Sequence, residues 1–433
     1  MRKAIVNATL YDFNTFIEDA VMVFDDSVVA LGPRNSISTD GLEIIDAKGM
    51  LLMPGFVAGH THIYSAFARG LAVPFDPKDF QDILDQLWWK IDRNLDNEAV
   101  FNSAVVDATD YALNGVTTMI DHHASGRDIL GSLKQLKRGV CETVGLRGSF
   151  AFETSDRFDV SQAITENRQF IDNENSQFTR GMFGLHASLS LSDDTLSKVK
   201  AHLHGAPIHI HVAESALDQE KCIKNYGCRV IERLDQFGLL TKDSILVHAL
   251  YVNDNELEII KKRGCVIAVN VTSNMNNGVG LPDIPRFLAY DIPVIIGNDG
   301  ISSSMATEYL NVLYSMHHHK QSPTAFSHND LLYMIKETYR YASRQFGIEL
   351  GRLRKGAAAD FMLVPYTPPT PFDENTVFSH LFFGLFNSFR PESVYVGGNA
   401  IVKGYTVSKS LKDTYKLAQQ SAKKVWHHIN QEE

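Results

Sequence analysis

The chain has 433 residues, and its 44% hydrophobic and 21% charged side chains exclude a disordered or fibrous protein. Its 41 lysines and arginines face 51 aspartates and glutamates, and this net charge of −10 argues against nucleic-acid binding. The four cysteines form no CxxC pair, and no apolar stretch approaches the roughly 20 residues of a membrane helix. We therefore expect a cytoplasmic protein without membrane contact.

The N-terminal part of the chain predicts a small β-sheet. Residues 2–31 alternate apolar and polar positions in short runs, and the segment GMLLMPG continues them. From Val57 to about Phe346, short apolar runs such as GVTTMID, PIHIHVAE and PVIIGND alternate with longer amphipathic segments. This alternation predicts parallel strands joined by helices, and about eight strands are present, the number that closes a (β/α)₈ barrel.

After Gly356 the pattern returns to strands, in ADFMLVPY and in SVYVGGNAIVKG, whose GGN turn predicts a hairpin. The two β-rich ends can pair with each other. We therefore predict an α/β protein with three parts: a TIM-type (β/α)₈ barrel over residues 54–355, a composite β-sandwich domain from residues 1–53 and 356–406, and a C-terminal helix over residues 407–433.

The segment PGFVAGHTH places His60 and His62 two residues apart on a strand, so both imidazoles point to the same face. Two neutral imidazoles in this arrangement can bind Zn²⁺ or Fe²⁺. At the end of a barrel strand they would lie on the catalytic rim. The pattern HxH alone is weak evidence, because the chain has 17 histidines.

Other apolar runs also end on ionisable residues, which are costly to bury without a function. PIHIHVAE offers His211 as a third imidazole with Glu214 beyond it, and His209 on the same face as a packing or supporting residue. SILVH ends on His248, and VIIGNDG ends on Asp299. Together these strand ends indicate a metal site.

The order of these motifs resembles that of the amidohydrolase superfamily, in its deaminase and chlorohydrolase branch. PGFVAGHTH, HxxE, a strand-end histidine and NDG all follow the family order, as do GLHASLSLSD, TSNMNNGVG and the closing GRLRKGAAADFMLV. The resemblance covers nearly the whole chain. By overall pattern, including SNMNN, it is most similar to the SsnA-type aminohydrolases.

The resemblance implies roles for individual residues. The metal ligands would be His60, His62, His211 and Asp299. Glu214 would shuttle protons, His248 would orient the attacking hydroxide or polarise the substrate, and Asp299 would share in proton transfer. Substrate contacts are expected from His186, Trp89, His123 and Asn274.

The residues also favour a single metal ion. Binuclear members of the superfamily bridge two metals with a carboxylated lysine, but no lysine occurs here between Lys137 and Lys198. We expect one divalent ion per chain, Zn²⁺ first and Fe²⁺ as the alternative, because three nitrogens and one carboxylate suit both.

The chain also departs from the family pattern. Asp121-His122-His123 places two histidines at a predicted strand end, where one of them can enter the pocket, with a supporting role behind it or a surface position as the alternatives. Arg147 can bind a substrate carboxylate or form a structural salt bridge. Asn276-Asn277, where the family more usually has Lys-Leu, is a further departure, and it concerns the substrate rather than the metal.

The sequence thus predicts a metal-dependent hydrolase that deaminates a purine-, pyrimidine-, pterin- or triazine-like heterocycle with metal-activated water. Its partner would be a small heterocyclic molecule, and the resemblance implies a homo-oligomer, most simply a dimer. Two alternatives stay open: a cyclic amidohydrolase of the imidazolonepropionase type, which would release a ring-opened acid, and a catalytically silent scaffold.

Overall fold

The protein is described by a computed structural model that covers residues 2–407 and 409–431. Met1, Ser408, Glu432 and Glu433, which the predicted domain boundaries include, lie outside the described residues. Within the described ranges, no helix is both long and apolar enough to cross a membrane.

The strands form two groups, an outer sheet and a barrel. They are β1 (Lys3–Tyr11), β2 (Phe16–Phe24), β3 (Val28–Pro33), β4 (Glu43–Asp46), β5 (Leu51–Pro54), β6 (Phe56–Thr61), β7 (Val116–His123), β8 (Arg147–Phe152), β9 (Thr179–Gly181), β10 (Phe183–Ala187), β11 (Ile208–Val212), β12 (Ile245–His248), β13 (Val266–Val269), β14 (Val294–Ile296), β15 (Phe361–Val364), β16 (Ser393–Val396) and β17 (Asn399–Val402).

Strands from both chain ends form one sheet in the order β17-β16-β15-β5-β1-β2-β3, with β4 paired to β1. The aromatic rings of Phe24, Phe361 and Tyr395 pack together, with the Phe361 and Tyr395 centroids 4.5 Å apart. Because β2 and β16 are separated by three strands in the sheet, this contact requires the sheet to fold back on itself as a sandwich. The predicted β16–β17 hairpin is confirmed.

The central strands confirm the predicted (β/α)₈ barrel. Parallel pairing joins β6 to β9 and, separately, β10 to β14. A parallel bridge between Thr154 and Leu185 connects the end of β8 to β10, and one between Thr61 and Asp299 connects β6 to the segment after β14. Since only Met182 separates β9 from β10, these two segments occupy one strand position, and the ring has eight positions.

Barrel strands are buried along their whole length, as β7 shows with eight buried residues of eight, and they therefore read as apolar runs. The helices between them are amphipathic and capped. In the helix Asp254–Arg263, for example, the Asn253 side chain accepts from the Glu256 N–H, and Gly264 ends the helix with a φ of +67°.

The helices are α1 (Phe80–Ile83), α2 (Trp89–Asp92), α3 (Asn97–Leu113), α4 (Ser132–Lys137), α5 (Val160–Asn173), α6 (Asp193–Leu203), α7 (Ala216–Tyr226), α8 (Val230–Gln236), α9 (Asp254–Arg263), α10 (Val271–Asn277), α11 (Ile284–Ala289), α12 (Met305–Lys320), α13 (His328–Phe346), α14 (Val377–His380) and α15 (Lys409–Gln431). Short 3₁₀ turns span Arg34–Ser36, Ile63–Ala68, Ser188–Ser190 and Phe386–Ser388, and π-helical turns span Leu84–Trp88, Arg138–Val144 and Leu381–Leu385.

Arg147 has a structural role at the junction of the barrel and the outer sheet. Its Nε and Nη2 donate to the two carboxylate oxygens of Asp360 at 2.7 and 2.9 Å, and both residues are buried. Arg147 begins β8, whereas Asp360 immediately precedes β15. This bidentate pair joins the two parts of the fold, so the salt-bridge interpretation of Arg147 fits its position.

Candidate active site

Four side chains that the sequence selected as metal ligands converge at the carboxyl ends of the barrel strands. His60 lies on β6 and His62 directly follows this strand, His211 lies on β11, and Asp299 follows β14. One donor atom from each lies within 4.8 Å of every other. The alternation of side chains along β6 directs both histidines inward, and the parallel strands bring the other two residues to the same rim.

Hydrogen bonds fix the orientation of these imidazoles. The Nδ1 atom of His62 donates to the carbonyl of His122 at 2.6 Å, and the Nδ1 atom of His211 donates to the carbonyl of His186 at 3.0 Å. In the neutral form of each ring the proton is therefore on Nδ1, and Nε2 presents a lone pair. The two Nε2 atoms lie 3.1 Å apart, a repulsive arrangement that a cation between them would relieve.

His209 supports His60 from behind, as expected of a packed histidine on the same face as His211. The Nδ1 of His60 lies 2.8 Å from the Nε2 of His209, and both rings are fully buried. Burial lowers the pKa of His60 to about 4, so its imidazole is neutral. A neutral ring whose far nitrogen is hydrogen-bonded has the form in which histidine binds metals.

Asp299 supplies the negative charge of the group. Its Oδ1 lies 3.0 Å from the Nε2 of His62 and 3.3 Å from that of His60, while the Ser273 hydroxyl donates to its Oδ2 at 2.6 Å. Burial alone would raise the pKa of Asp299, but the hydrogen bonds and charge of the histidines hold it well below its usual range. This carboxyl is therefore ionised.

Glu214 and His248 form a second pair beside the first group. The Nε2 of His248 lies 3.4 Å from a carboxylate oxygen of Glu214. Burial, followed by the charge of Asp299, raises the pKa of Glu214 well above its usual range, and such a carboxyl can hold and release a proton near neutral pH. His248 has a φ of +73°, a left-handed conformation that is costly for a residue other than glycine and that occurs often at functional sites.

These residues line a cavity that opens at the carboxyl ends of the barrel strands. Its wall combines aromatic and apolar side chains with polar groups. The lining residues are His62, Tyr64, Phe80, Leu84, Trp88, Trp89, Asp92, Glu153, His186, Ala187, Leu189, His211, Glu214, Ser215, Asp218, His248, Asn277, Asp299 and Gly300.

Two of the four predicted substrate contacts lie on this wall. Trp89 and His186 line the cavity with their ring centroids 6.0 Å apart. The Nδ1 of His186 hydrogen-bonds the hydroxyl of Ser190 at 2.6 Å, which leaves its Nε2 for the cavity side. These positions suit contact with a planar ligand.

The other two predicted substrate contacts lie behind the wall, which corrects the expected placement. His123 is fully buried with its ring against Tyr64 and Phe152. Asn274 is also fully buried, and its side-chain amide donates to the Nδ1 of His248 at 3.0 Å. Strand β7 directs His123 away from the cavity, and Asn274 contacts His248 rather than the cavity.

His122, the second histidine of that strand end, is likewise a supporting residue. Its Nε2 lies 3.0 and 3.1 Å from the carbonyls of Leu185 and His209, and its own carbonyl accepts from His62. It therefore ties β7 to its neighbours across the barrel interior.

Two acidic residues of the cavity wall, Asp92 and Glu153, and the arginine between them, Arg157, were not predicted from the sequence. Glu153 comes directly after the apolar run of β8, the same signal that selected Asp299. Asp92 ends a short helix and carries no such signal. Only the tertiary contacts bring these residues together.

Comparisons with known proteins agree with this architecture. A sequence model described as the amidohydrolase family matches residues 51–401. The chain is 26% identical over 398 residues to a 5-methylthioadenosine/S-adenosylhomocysteine deaminase of Thermococcus sibiricus, across 89% of this chain and 90% of that relative.

Two solved structures share the fold. An adenosine deaminase from Xanthomonas campestris with bound zinc has a TM-score of 0.84 at 19% identity and covers 98% of both chains. An atrazine chlorohydrolase from Arthrobacter aurescens in complex with zinc has a TM-score of 0.80 at 19% identity, across 97% of this chain and 99% of that one.

Proposed function

This chain belongs to the amidohydrolase family, whose sequence model spans residues 51–401, and on that premise we propose that it deaminates a nitrogen heterocycle as a metal-dependent hydrolase. The reaction class is hydrolysis of a carbon–nitrogen bond other than a peptide bond. The named deaminase that matches 89% of this chain supports it.

One observation carries the proposal: the Nε2 atoms of His62 and His211 face each other at 3.1 Å beside the ionised Asp299, with both Nδ1 protons committed to carbonyls. The residues present therefore fit a divalent cation held by His60, His62, His211 and Asp299. We propose Zn²⁺, which the two related structures contain, with Fe²⁺ as the alternative. Such an ion supplies Lewis-acid activation of water.

Glu214 is proposed as the proton carrier. The attacking water must lose a proton, and the ring nitrogen next to the attacked carbon must gain one. The carboxyl of Glu214, with its raised pKa, takes the first proton and delivers it to that nitrogen. Glu214 then takes the remaining proton from the added hydroxyl group and delivers it to the amine, so that the C–N bond breaks, ammonia leaves and a carbonyl forms.

His248 is proposed to orient the oxygen nucleophile. Because Asn274 donates to its Nδ1, the proton of His248 is on Nε2, which lies at the cavity wall near Glu214. An N–H fixed in this direction can hydrogen-bond the attacking oxygen and hold it against the ring carbon.

The test is ammonia release from the protein loaded in turn with Zn²⁺ and Fe²⁺, against adenosine-type nucleosides, guanine, aminopyrimidines, pterins and aminotriazines. We expect release from at least one class, abolished by Glu214→Gln and retained by Glu220→Gln, an exposed residue of α7. A ring-opened acid without ammonia would favour the cyclic amidohydrolase. Metal binding without any turnover would favour the scaffold.

A homodimer and a cytoplasmic location complete the proposal. The four cysteines are all free thiols, which suits a reducing compartment. The exposed rings of Tyr314 and Phe383, 47% and 66% accessible, offer apolar surface for a second copy. Size-exclusion chromatography with light scattering distinguishes a dimer from a monomer.

A further inference from the structure

The ionisable side chains of the cavity wall, apart from its histidines, are all acidic. Among the described residues that line it are five carboxylates and neither a lysine nor an arginine. Asp299 and Glu214 belong to the proposed chemistry. The carboxylate of Asp218 accepts the backbone N–H groups of Leu189 and Ala213 at 3.1 and 2.9 Å, so it is a structural acceptor. Asp92 and Glu153 are left without a role in the reaction.

Asp92 and Glu153 share one counter-ion. The Nη2 of Arg157 lies 2.8 Å from Asp92 Oδ2 and 2.5 Å from Glu153 Oε1. All three side chains are largely buried, with 1% of Asp92 and 2% of Glu153 accessible. Two carboxylates and one guanidinium leave a net charge of −1 when both acids are ionised.

Arg157 cannot turn towards an anionic ligand. Its guanidinium packs between the rings of Trp89 and Phe158, 4.5 and 4.6 Å from their centroids, and it is not among the lining residues. Its Nη atoms are committed to Asp92 and Glu153. Its positive charge therefore partly neutralises Asp92 and Glu153 from behind the cavity wall.

Glu153 retains an unused oxygen at the wall. Its Oε2 has no hydrogen bond to any residue within 2–407 and 409–431, and the nearest ring nitrogen, His122 Nδ1, is 3.8 Å away, beyond hydrogen-bond distance. The other oxygen, Oε1, lies 4.0 Å from the Nε2 of His186. Burial and the charge of Asp92 outweigh Arg157 and raise the pKa of Glu153 to about 7, which a cationic neighbour would reverse.

We propose that Glu153, backed by Asp92, makes this wall a specificity determinant that favours substrates with a cationic or hydrogen-bond-donating substituent and disfavours those with a carboxylate or phosphate. This inference rests on the proposed function, because it places the ring at His62, His211 and Asp299 and the substituent at Glu153. Two effects contribute to this preference. The carboxylate attracts a cationic substituent, and it repels an anionic one, because burying two like charges together is costly.

The test uses matched ligand pairs that differ only in the charge of one substituent. For the aminopurine scaffold these are 5′-amino-5′-deoxyadenosine and adenosine 5′-carboxylate, with 5′-deoxyadenosine as the neutral reference. Equivalent ammonium and carboxylate pairs are made on aminopyrimidine and aminotriazine rings. Calorimetry on the zinc-loaded Glu214→Gln protein gives dissociation constants without turnover.

We expect at least one ammonium ligand to bind about tenfold or more tightly than its carboxylate partner, a 1.4 kcal/mol preference. Adding Glu153→Gln should reduce this ratio about tenfold. The exposed Glu142→Gln change is the matched control and should leave it unchanged. If Glu153→Gln does not fold, Asp92→Asn must reduce the ratio in its place.

Equal or tighter binding of the carboxylate members, an unchanged ratio in Glu153→Gln, or no binding of any ammonium ligand would each overturn the inference. Failure of the proposed function is separate, because it would appear as absence of ammonia from every scaffold in the zinc-loaded wild-type protein.

Discussion

The imidazoles of His62 and His211 stack at 13° between ring planes with their Nε2 atoms 3.1 Å apart, although 149 positions separate them in the chain. In the neutral rings both protons lie on Nδ1, so the two Nε2 lone pairs face each other. Without a metal, protonation of His62 on Nε2 relieves this contact. Burial disfavours protonation of His62, but Asp299 outweighs it and raises the pKa of His62 to about 9.

Metal removal should destabilise the protein, because the folded site binds the ion and the unfolded chain does not present these four ligands together. We expect chelation to lower the melting temperature, and Zn²⁺ at about 1,000 times its dissociation constant to restore roughly 4 kcal/mol. His211→Ala should abolish the zinc-dependent shift in a thermal melt, whereas His319→Ala, exposed on α12, should retain it. An equal shift in both variants would contradict this assignment of the ligands.

Asn274 should affect turnover through the tautomer of His248. Its amide donates to His248 Nδ1 at 3.0 Å and keeps the proton on Nε2. We expect Asn274→Ala to lower kcat by about 10- to 100-fold with little change in KM, as for the loss of 1.4–2.7 kcal/mol of transition-state stabilisation. Asn274→Asp, which can only accept, should be at least as damaging.

Steady-state kinetics on the zinc-loaded variants test this role. The neighbouring Asn276→Ala change, at an exposed position, is the control and should leave kcat unchanged. A rise in KM at constant kcat in Asn274→Ala would instead indicate a direct substrate contact.

Glu308 should make stability fall with pH. It is fully buried on α12, and burial raises its pKa from 4.5 to about 8. Between these values the unfolded chain has lost a proton that the folded chain keeps, so the free energy of unfolding decreases by about 1.4 kcal/mol per pH unit. Above pH 8 the loss is constant.

Urea unfolding of Glu308→Gln and wild type between pH 5 and pH 9 measures this effect. As pH rises, the free energy of unfolding of the variant should increase relative to that of the wild type, by roughly 2–4 kcal/mol in total at pH 8. The exposed Glu374→Gln change should show no pH-dependent difference. A constant difference for Glu308→Gln across the range would refute the buried-acid explanation.

Arg147 should matter for stability rather than catalysis. Removing one partner of a buried bidentate pair leaves the Asp360 charge uncompensated, at a cost of about 3–5 kcal/mol. Arg147→Ala should therefore lower the free energy of unfolding by that amount, while Arg354→Ala, at an exposed site, should not. Because Arg147 begins β8, opposite the catalytic rim, kcat of the folded protein should be unchanged.

Much of the candidate site was predictable because its chemistry leaves local marks. An ionisable residue at the end of an apolar strand is costly unless it is used, and this signal selected His211, His248 and Asp299. It failed for His123, where the same pattern marks a core residue packed on Tyr64 and Phe152. Spacing along one strand does not specify which side of the barrel wall a residue contacts when the strand is buried on both faces.

The amino-acid sequence alone determined the periodicity of the barrel strands, the pairing of the chain ends and the residues able to bind a metal, because these depend on short-range patterns of polarity. The tertiary structure decided the rest. Asp92 and Glu153, 61 positions apart, both bind Arg157, and Asn274 and His248, 26 positions apart, hydrogen-bond each other. No local pattern encodes such contacts, since they depend on how loops after different strands close over the same rim.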